Sequence, residues 1–199
     1  MYLFYDVETA STARDADIYE FGYVRTDDTL RVLSSGTLFF CQPKKEVFAT
    51  HIHGLTKEYL SKYASDFAKN LATMYTLMEN SVVVGKHNLI FDDYVVSHFL
   101  HSHVAPNTLF RGPSRSVDIE TFMASKYREY AGLVGTRKIG TLEQYMEMFG
   151  LTNDFVMQWM QKFNISLPEG RTHLHSAQYD AILTFMVAVI AVQKYGILL

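Results

Sequence analysis

Two carboxylates near the start of the chain, Asp6 and Glu8, are spaced for joint chemistry. They lie in the string YDVET, which belongs to a run of aromatic and β-branched residues typical of a strand. Side chains at positions i and i+2 of a strand leave the same face, so both carboxylates are predicted to point to one place. Two such groups repel each other unless a cation lies between them or one is protonated. Mg²⁺ and Mn²⁺ prefer oxygen ligands, so the pair is a candidate half of a metal site.

Two further positions supply candidate carboxylates later in the chain. Asp92 lies in the string HNLIFDD, at the predicted start of a helix. A carboxylate there also complements the helix dipole, which by itself accounts for Asp92 and for its neighbour Asp93. Asp180 differs because it interrupts an apolar helix with small neighbours, where an unpaired charge would be costly to bury. A role in a functional site is therefore the better interpretation of Asp180.

A histidine close to Asp180 is a candidate proton acceptor. His175 precedes Asp180 by five positions, and this spacing would put them about 140° apart on a continuous helix. We therefore predict that His175 lies in the loop before the helix and reaches back over the site. Histidine is well suited to accept a proton from water near neutral pH. His173 is an alternative for the same role.

A second group of histidines, His98, His101 and His103, has a spacing that could indicate zinc. Histidines near the end of a helix also interact favourably with its dipole, and no fourth ligand is evident nearby. The structural interpretation is therefore preferred over a zinc site.

The elements that must position these residues follow from the hydrophobic pattern. Strands are predicted at residues 2–7, 18–25, 32–40 and 81–84, with a hairpin turn at 26–29. Helices are predicted at residues 57–63, 66–79, 91–100, 119–130, 142–149, 154–163 and 177–194. A hairpin of strands followed by alternating strands and helices predicts an α/β architecture with a mixed sheet.

Composition limits the classes of protein that this chain can belong to. Its 199 residues with 48% hydrophobic content fit one domain, expected to span residues 1–199. A net charge of −3 argues against a protein that coats nucleic acid through a broad basic surface. The single cysteine, Cys41, allows no intrachain disulfide. The apolar run 181–192 is too short to span a bilayer and no signal peptide is evident, so a cytoplasmic protein is expected.

The carboxylates and the histidine together resemble the motifs of the DEDDh branch of 3′–5′ exonucleases. That family has D-x-E near its N-terminus, then a motif of the type H-N-x-x-F-D, then H-x-A-x-x-D. The matching strings here are Asp6-Val7-Glu8, HNLIFD from His87 to Asp92, and HSAQYD from His175 to Asp180. The sister branch would need tyrosine at the position of Ser176. Within the family, the strings YVRTDD and FDDYVV are most similar to the catalytic domain of bacterial exonuclease I.

This resemblance implies an RNase H-like α/β fold, in which helices flank a mixed β-sheet of antiparallel N-terminal strands and parallel strands. It also implies hydrolysis of the 3′-terminal phosphodiester of single-stranded DNA, with release of nucleoside 5′-monophosphates and use of two Mg²⁺ or Mn²⁺ ions. The implied metal ligands are Asp6, Glu8, Asp92 and Asp180. His175 would accept the proton of the attacking water. The residues expected to bind substrate are Thr9, His53, Gly54, Leu55, Asn88 and Phe91.

The family pattern is not matched everywhere. The D-x-E-T string of the family often continues with T-G, whereas this chain has Ala10-Ser11, which leaves open how the terminal nucleotide packs. Exonuclease I also has further domains that support processivity, and nothing comparable is evident in these 199 residues, so processivity is not expected to carry over.

Two alternatives remain open from the sequence. The same site can serve either sugar, so a 3′–5′ exoribonuclease or a nuclease of short oligonucleotides is an alternative substrate class. A nucleic-acid-binding or interaction module without turnover is an alternative of another class, although it would not need five such groups. The expected partner is nucleic acid with a free 3′ end, not a membrane, and the oligomeric state is not predicted.

Overall fold

The structure is a computed structural model that describes residues 1–41, 46–64, 66–103, 112–132, 140–197 and 199. In that part of the chain, five strands form one sheet and eight helices accompany it. The strands are β1 (Tyr2–Thr9), β2 (Ile18–Thr26), β3 (Val32–Phe39), β4 (Val82–Gly85) and β5 (Arg115–Asp118). The helices are α1 (Thr50–His53), α2 (Lys57–Tyr63), α3 (Phe67–Met78), α4 (Asp92–His103), α5 (Glu120–Tyr130), α6 (Leu142–Phe149), α7 (Asn153–Lys162) and α8 (Ala177–Tyr195).

The sheet has the order β3-β2-β1-β4-β5, with β1 at its centre. The β1–β2 and β2–β3 pairs are antiparallel, whereas β4 is parallel to β1 and β5 is parallel to β4. Asp27 holds the predicted hairpin turn, because its Oδ1 accepts the N–H groups of Thr29 and Arg31, both at 2.9 Å. The mixed sheet with its helices confirms the predicted α/β fold class.

Helices pack on both faces of the sheet and give it three layers. On one face Phe4 contacts α8, where its ring centroid lies 5.1 Å from that of Phe185 in an edge-to-face contact. On the other face Tyr5 and its neighbours pack against α3 and α4. Because side chains alternate along a strand, Phe4, Asp6 and Glu8 share the face of β1 that α8 covers.

The predicted elements are confirmed, with ends that agree to within three residues. Local signals explain the agreement: Thr141 and Gln144 form a capping box that starts α6, and Gly150 ends it with a φ of 65°. Two elements, α1 and β5, were not predicted. Tyr94 of α4 faces solvent: it is 50% exposed, and the guanidinium of Arg14 lies 4.2 Å from the centroid of its ring.

An apolar groove of about 770 Å³ lies between α7, α8 and the β2–β3 turn. One side of α7 packs inward and the other side is exposed. The ring centroid of Trp159 lies 5.5 Å from that of Phe185, and Met160 is buried. Phe155, on the same helix, is 50% exposed. Within the described residues, no helix is long and apolar enough to cross a membrane.

Gly22 allows α8 to approach the sheet closely. It lies directly opposite Asp6 in the β1–β2 register and therefore shares the face that α8 covers. A β-carbon at this position would lie 1.9 Å from the backbone nitrogen of Gln178, in the first turn of α8. The absence of a side chain at Gly22 thus brings the start of α8, including Asp180, next to Asp6.

We expect Gly22→Ala to lower the free energy of unfolding by at least about 2–3 kcal/mol, because overpacking against backbone atoms cannot relax through a side-chain movement. Chemical denaturation measures this loss. Gly36→Ala is the matched control, since the nearest atoms there belong to the side chain of Tyr23, at 3.1 Å and beyond. Equal stability of the two variants would contradict the close approach.

Candidate active site

Asp6 and Glu8 lie at the carboxyl end of the central strand and face α8. In the antiparallel register with β2, Asp6 is opposite Gly22 and Glu8 is opposite Glu20. The side chain of Glu8 is buried, whereas that of Asp6 is partly exposed. The spacing of two residues therefore places both carboxylates on one side of the sheet, as predicted.

Asp180 and His175 approach Glu8 from the start of α8 and from the loop before it. Asp180 lies in the first turn of α8 and is 6% exposed, while His175 is exposed in the loop before that helix. The backbone N–H of His175 donates to Oδ2 of Asp180 at 3.0 Å. A ring nitrogen of His175 and one carboxylate oxygen each from Glu8 and Asp180 all lie within 4.8 Å of one another. The loop position required by the spacing of these two residues is thus the one observed.

Asp92 joins the group from the neighbouring parallel strand. It is the first residue of α4 and is buried, a few residues after the end of β4. Since β4 runs parallel to β1 beside it, the loops that leave both strands emerge at the same edge of the sheet. The charge of Asp92 is accordingly one of the causes that raise the pKa of Asp6. The structure therefore brings the four predicted carboxylates and His175 to one edge.

Burial and repulsion by neighbouring carboxylates raise the pKa of each of the four carboxyl groups. For Asp6 the largest cause is desolvation, followed by the charges of Asp180 and Asp92. Desolvation, followed by the charge of Asp180, raises the pKa of Glu8 to about 8. Desolvation is also the largest cause for Asp92 and Asp180, whose pKa values both rise to about 7. The four groups therefore resist full ionisation near neutral pH unless a cation compensates them.

The donor atoms at this edge fit a hard divalent cation. The four acidic side chains offer only oxygen ligands, which Mg²⁺ and Mn²⁺ prefer. Oδ1 of Asp180 is buried and has no hydrogen-bond partner among the described residues, so it is an acceptor that a bound ion would satisfy. Asp6, Glu8, Asp92 and Asp180 are therefore the residues available to hold metal ions.

Asp93, next to Asp92, has an internal role instead. Its carboxylate accepts hydrogen bonds from the hydroxyl groups of Tyr5 and Ser116. It also accepts a longer hydrogen bond, at 3.4 Å, from the side-chain amide of Asn88. These contacts join the start of α4 to β1 and β5, so Asp93 fixes the helix that carries Asp92.

A second cluster, formed by His87, Asp118 and Glu120, lies at the base of the loop that leads to Asp92. Nδ1 of His87 is 3.1 Å from Glu120, and Oδ1 of Asp118 accepts the N–H groups of both residues at 2.9 Å. The ammonium of Lys86, at 3.6 Å, supplies positive charge to Glu120. Because these contacts are made within the cluster and with Lys86, we interpret it as a clamp on the loop.

The six residues predicted to bind substrate are divided between surface and interior. The exposed or partly exposed ones are Thr9, Gly54 and Phe91. His53, Leu55 and Asn88 are buried, and Nδ1 of His53 accepts the N–H of Leu55 at 3.0 Å while its Nε2 lies 2.9 Å from the carbonyl of Phe48. Substrate contact stays a prediction for the exposed residues. The buried residues are better explained as supports for the neighbouring segments.

The histidines considered for zinc do not converge in the part of the chain that the structure describes. His101 and His103 point back along α4, where their Nδ1 atoms lie 2.7 Å and 2.9 Å from the carbonyl oxygens of Ser97 and Phe99. These short contacts within one helix support the structural interpretation.

Sequence reasoning missed two kinds of residue at this edge. Leu89 and Ile90, inside the middle motif, are apolar side chains that are 42% and 55% exposed. Glu20 and Arg171 form a buried ion pair behind Glu8. A charged residue within the apolar run of β2 was the only sequence signal for that pair.

The architecture has the fold of exonuclease I, the fold that the motifs predict. Exonuclease I from Methylocaldum szegediense matches with a TM-score of 0.67 and 21% identity, over 98% of this chain and 41% of that chain. E. coli exonuclease I in complex with a dT13 oligonucleotide matches with a TM-score of 0.71 and 18% identity, over 98% of this chain and 41% of that chain. The zinc-bound E. coli exonuclease I–ssDNA complex gives a TM-score of 0.69 at 18% identity, with the same coverage.

The chain thus spans about two-fifths of the length of these exonucleases. No protein-family model and no curated protein matches the sequence. At such low identity, the likeness to solved structures is a likeness of fold.

Proposed function

We propose that this chain is a divalent-metal-dependent 3′–5′ exonuclease that hydrolyses the terminal phosphodiester of single-stranded DNA and releases nucleoside 5′-monophosphates. The observation that carries this proposal is the convergence of Glu8, Asp180 and His175 within 4.8 Å, beside Asp6 and Asp92. Structural carboxylates would be expected to pair with nearby cations or hydrogen-bond donors. The carboxylates of this site instead repel one another, and Oδ1 of Asp180 is buried without a hydrogen-bond partner among the described residues.

The metal ligands in this proposal are Asp6, Glu8, Asp92 and Asp180. Two Mg²⁺ or Mn²⁺ ions held there would neutralise charge on the phosphodiester and favour ionisation of water. The negative charge of the chain is compatible with a phosphate substrate because the cations would lie at the acidic edge.

The role of His175 follows from its position. Its ring lies beside Glu8 and Asp180 but is exposed, so water can reach it. His175 accepts a proton from the water whose oxygen attacks phosphorus. The bond from phosphorus to the 3′-oxygen of the preceding nucleotide breaks, so the terminal nucleotide leaves with its 5′-phosphate.

Single-stranded DNA is the preferred substrate in this proposal. The support comes from the solved exonuclease I structures, which include complexes with dT13 and dA16 oligonucleotides. The exposed side chains of Leu89 and Ile90 beside Asp92 provide an apolar surface for unpaired bases.

The test is a cleavage assay with a 5′-labelled single-stranded DNA oligonucleotide. We expect products that shorten stepwise from the 3′ end when Mg²⁺ or Mn²⁺ is present, and no cleavage after chelation with EDTA. Phosphorothioate linkages at the 3′ end are the matched control and should block the first step.

The same assay separates the alternatives. Faster cleavage of the matched RNA would support an exoribonuclease, and internal cleavage would contradict an exonuclease. Binding of the oligonucleotide without cleavage under any metal condition would support the binding module.

A further inference from the structure

Arg171 is a buried cation directly behind the acidic edge. It lies in the loop before α8 and is 2% exposed. Its Nη1 donates a hydrogen bond to the carbonyl oxygen of His53. Its Nη2 donates to the carboxylate of Glu20 and, at 2.9 Å, to the carbonyl oxygen of His175. One side chain therefore contacts three separate segments of the chain.

Glu20 provides the anchor for this guanidinium. It is fully buried on β2, directly opposite Glu8 of β1, so its position is fixed by the sheet. An ion pair in such surroundings persists only with additional hydrogen bonds, and Arg171 makes these to the two carbonyl groups. The ion pair thus fixes the loop that carries His175 relative to the sheet.

The backbone of the loop is held at both ends of His175. The N–H of His175 donates to Asp180 at 3.0 Å, and its carbonyl group accepts from Arg171. The carbonyl of Arg171 itself accepts from the hydroxyl of the buried Ser176 at 3.0 Å. His175 has a φ of 62°, a left-handed conformation that persists in a non-glycine residue when its surroundings impose it.

We propose that Arg171 is a positioning residue: anchored on Glu20, it holds the carbonyl group of His175 and thereby directs the imidazole towards Glu8 and Asp180. This inference rests on the proposed function, in which His175 accepts the proton. Lysine cannot replace the guanidinium, because a single ammonium group lacks the planar fork that reaches several acceptors at fixed angles.

The decisive experiment is a double-mutant cycle of Arg171→Lys and His175→Asn. Asparagine is chosen because it tolerates a left-handed φ. Arg171→Lys is expected to lower kcat roughly 10–100-fold, since small displacements of a catalytic group have effects of this size, while KM changes less than about twofold. In the His175→Asn background the same substitution should have almost no further effect on kcat.

Arg31→Lys, at the exposed β2–β3 turn, is the matched control and should leave kcat unchanged. If Arg171→Lys lowers kcat by the same factor with and without His175, Arg171 is only structural and the proposal is wrong. Should Arg171→Lys fail to fold, Glu20→Gln removes the anchor and retains the guanidinium. Its effect on kcat must then also vanish in the His175→Asn background.

A measurement without substrate separates this inference from the proposed function. Arg171→Lys, or Glu20→Gln in its place, is expected to accelerate hydrogen exchange of the His175 amide by about tenfold, because the loop loses its support. Unchanged exchange would overturn the positioning role even in an active enzyme. Faster exchange in a protein without nuclease activity would retain the positioning role and refute only the proposed function.

Discussion

Replacing Asp6 by asparagine is expected to lower the rate of DNA hydrolysis by at least about 10³-fold while the protein stays folded. Asp6 is close enough to the other carboxylates that the charges of Asp180, Asp92 and Glu8 all raise its pKa. In the proposed function Asp6 is a metal ligand, and a neutral amide in its place would remove negative charge from the metal site. Loss of one electrostatic contact to a transition state already has effects of about 10²–10³-fold, and a metal site provides several.

The same substitution should raise the melting temperature of the metal-free protein. Asparagine removes a desolvated carboxyl group that is repelled by four neighbouring carboxylates. For a chain of this size, each kcal/mol gained corresponds to about 2–4 °C. An increase of several degrees, measured by calorimetry in the presence of EDTA, is therefore the expected result.

The pH dependence of the metal-free protein has a defined sign. Folding raises the pKa of Glu8 from 4.5 to about 8, so protonated Glu8 favours the folded state, and this contribution is lost as the pH rises towards 8. Asp92 and Asp180, raised from 3.8 to about 7, act in the same sense. The stabilisation by these protonated groups should raise the melting temperature most at low pH and disappear by about pH 8. Bound Mg²⁺ or Mn²⁺ should offset this loss of stability.

Asp154→Asn is the control for both measurements, because Asp154 is an exposed acid in the first turn of α7. It should change neither the rate nor the pH dependence of stability. A wild-type rate of hydrolysis in Asp6→Asn would refute the metal site. A lower melting temperature of the metal-free Asp6→Asn protein would refute the repulsion between Asp6 and its neighbouring carboxylates.

The sequence predicted the candidate site better than it predicted the contacts that support it. Asp6 and Glu8 lie in a strand whose alternation fixes the side on which they appear, and the spacing from His175 to Asp180 requires a loop followed by a helix. These are local rules, and they hold because β1 and α8 are strongly patterned. The site carboxylates could therefore be located without knowledge of the tertiary structure.

Long-range contacts left almost no sequence signal. Arg171 and Glu20 are 151 positions apart, and only the fold brings them together. The strand β5 has only four residues, and most of them are polar. Its conformation therefore results from pairing with β4 and not from a hydrophobic pattern. Nothing in the sequence distinguishes Gly22 from an ordinary strand residue, because the close approach of α8 depends on tertiary packing.

Replacing His175 by asparagine is expected to lower kcat by about 10²–10⁴-fold, the usual contribution of a general base. KM and the stabilisation by added metal should change little, since the four carboxylates remain in place. Single-turnover kinetics and thermal melting with and without Mn²⁺ measure the two effects separately. A loss of metal-induced stabilisation would instead indicate that His175 is a metal ligand.

His173→Asn is the matched control because it removes an exposed imidazole two positions away in the same loop. Nδ1 of His173 lies 2.7 Å from the carbonyl oxygen of Leu174, so its ring turns onto its own loop. His175, in contrast, has a ring nitrogen within 4.8 Å of carboxylate oxygens of both Glu8 and Asp180. Proton transfer requires such proximity to the reacting water, so His173→Asn should retain nearly full activity. A larger loss for His173→Asn than for His175→Asn would assign the proton acceptor to His173.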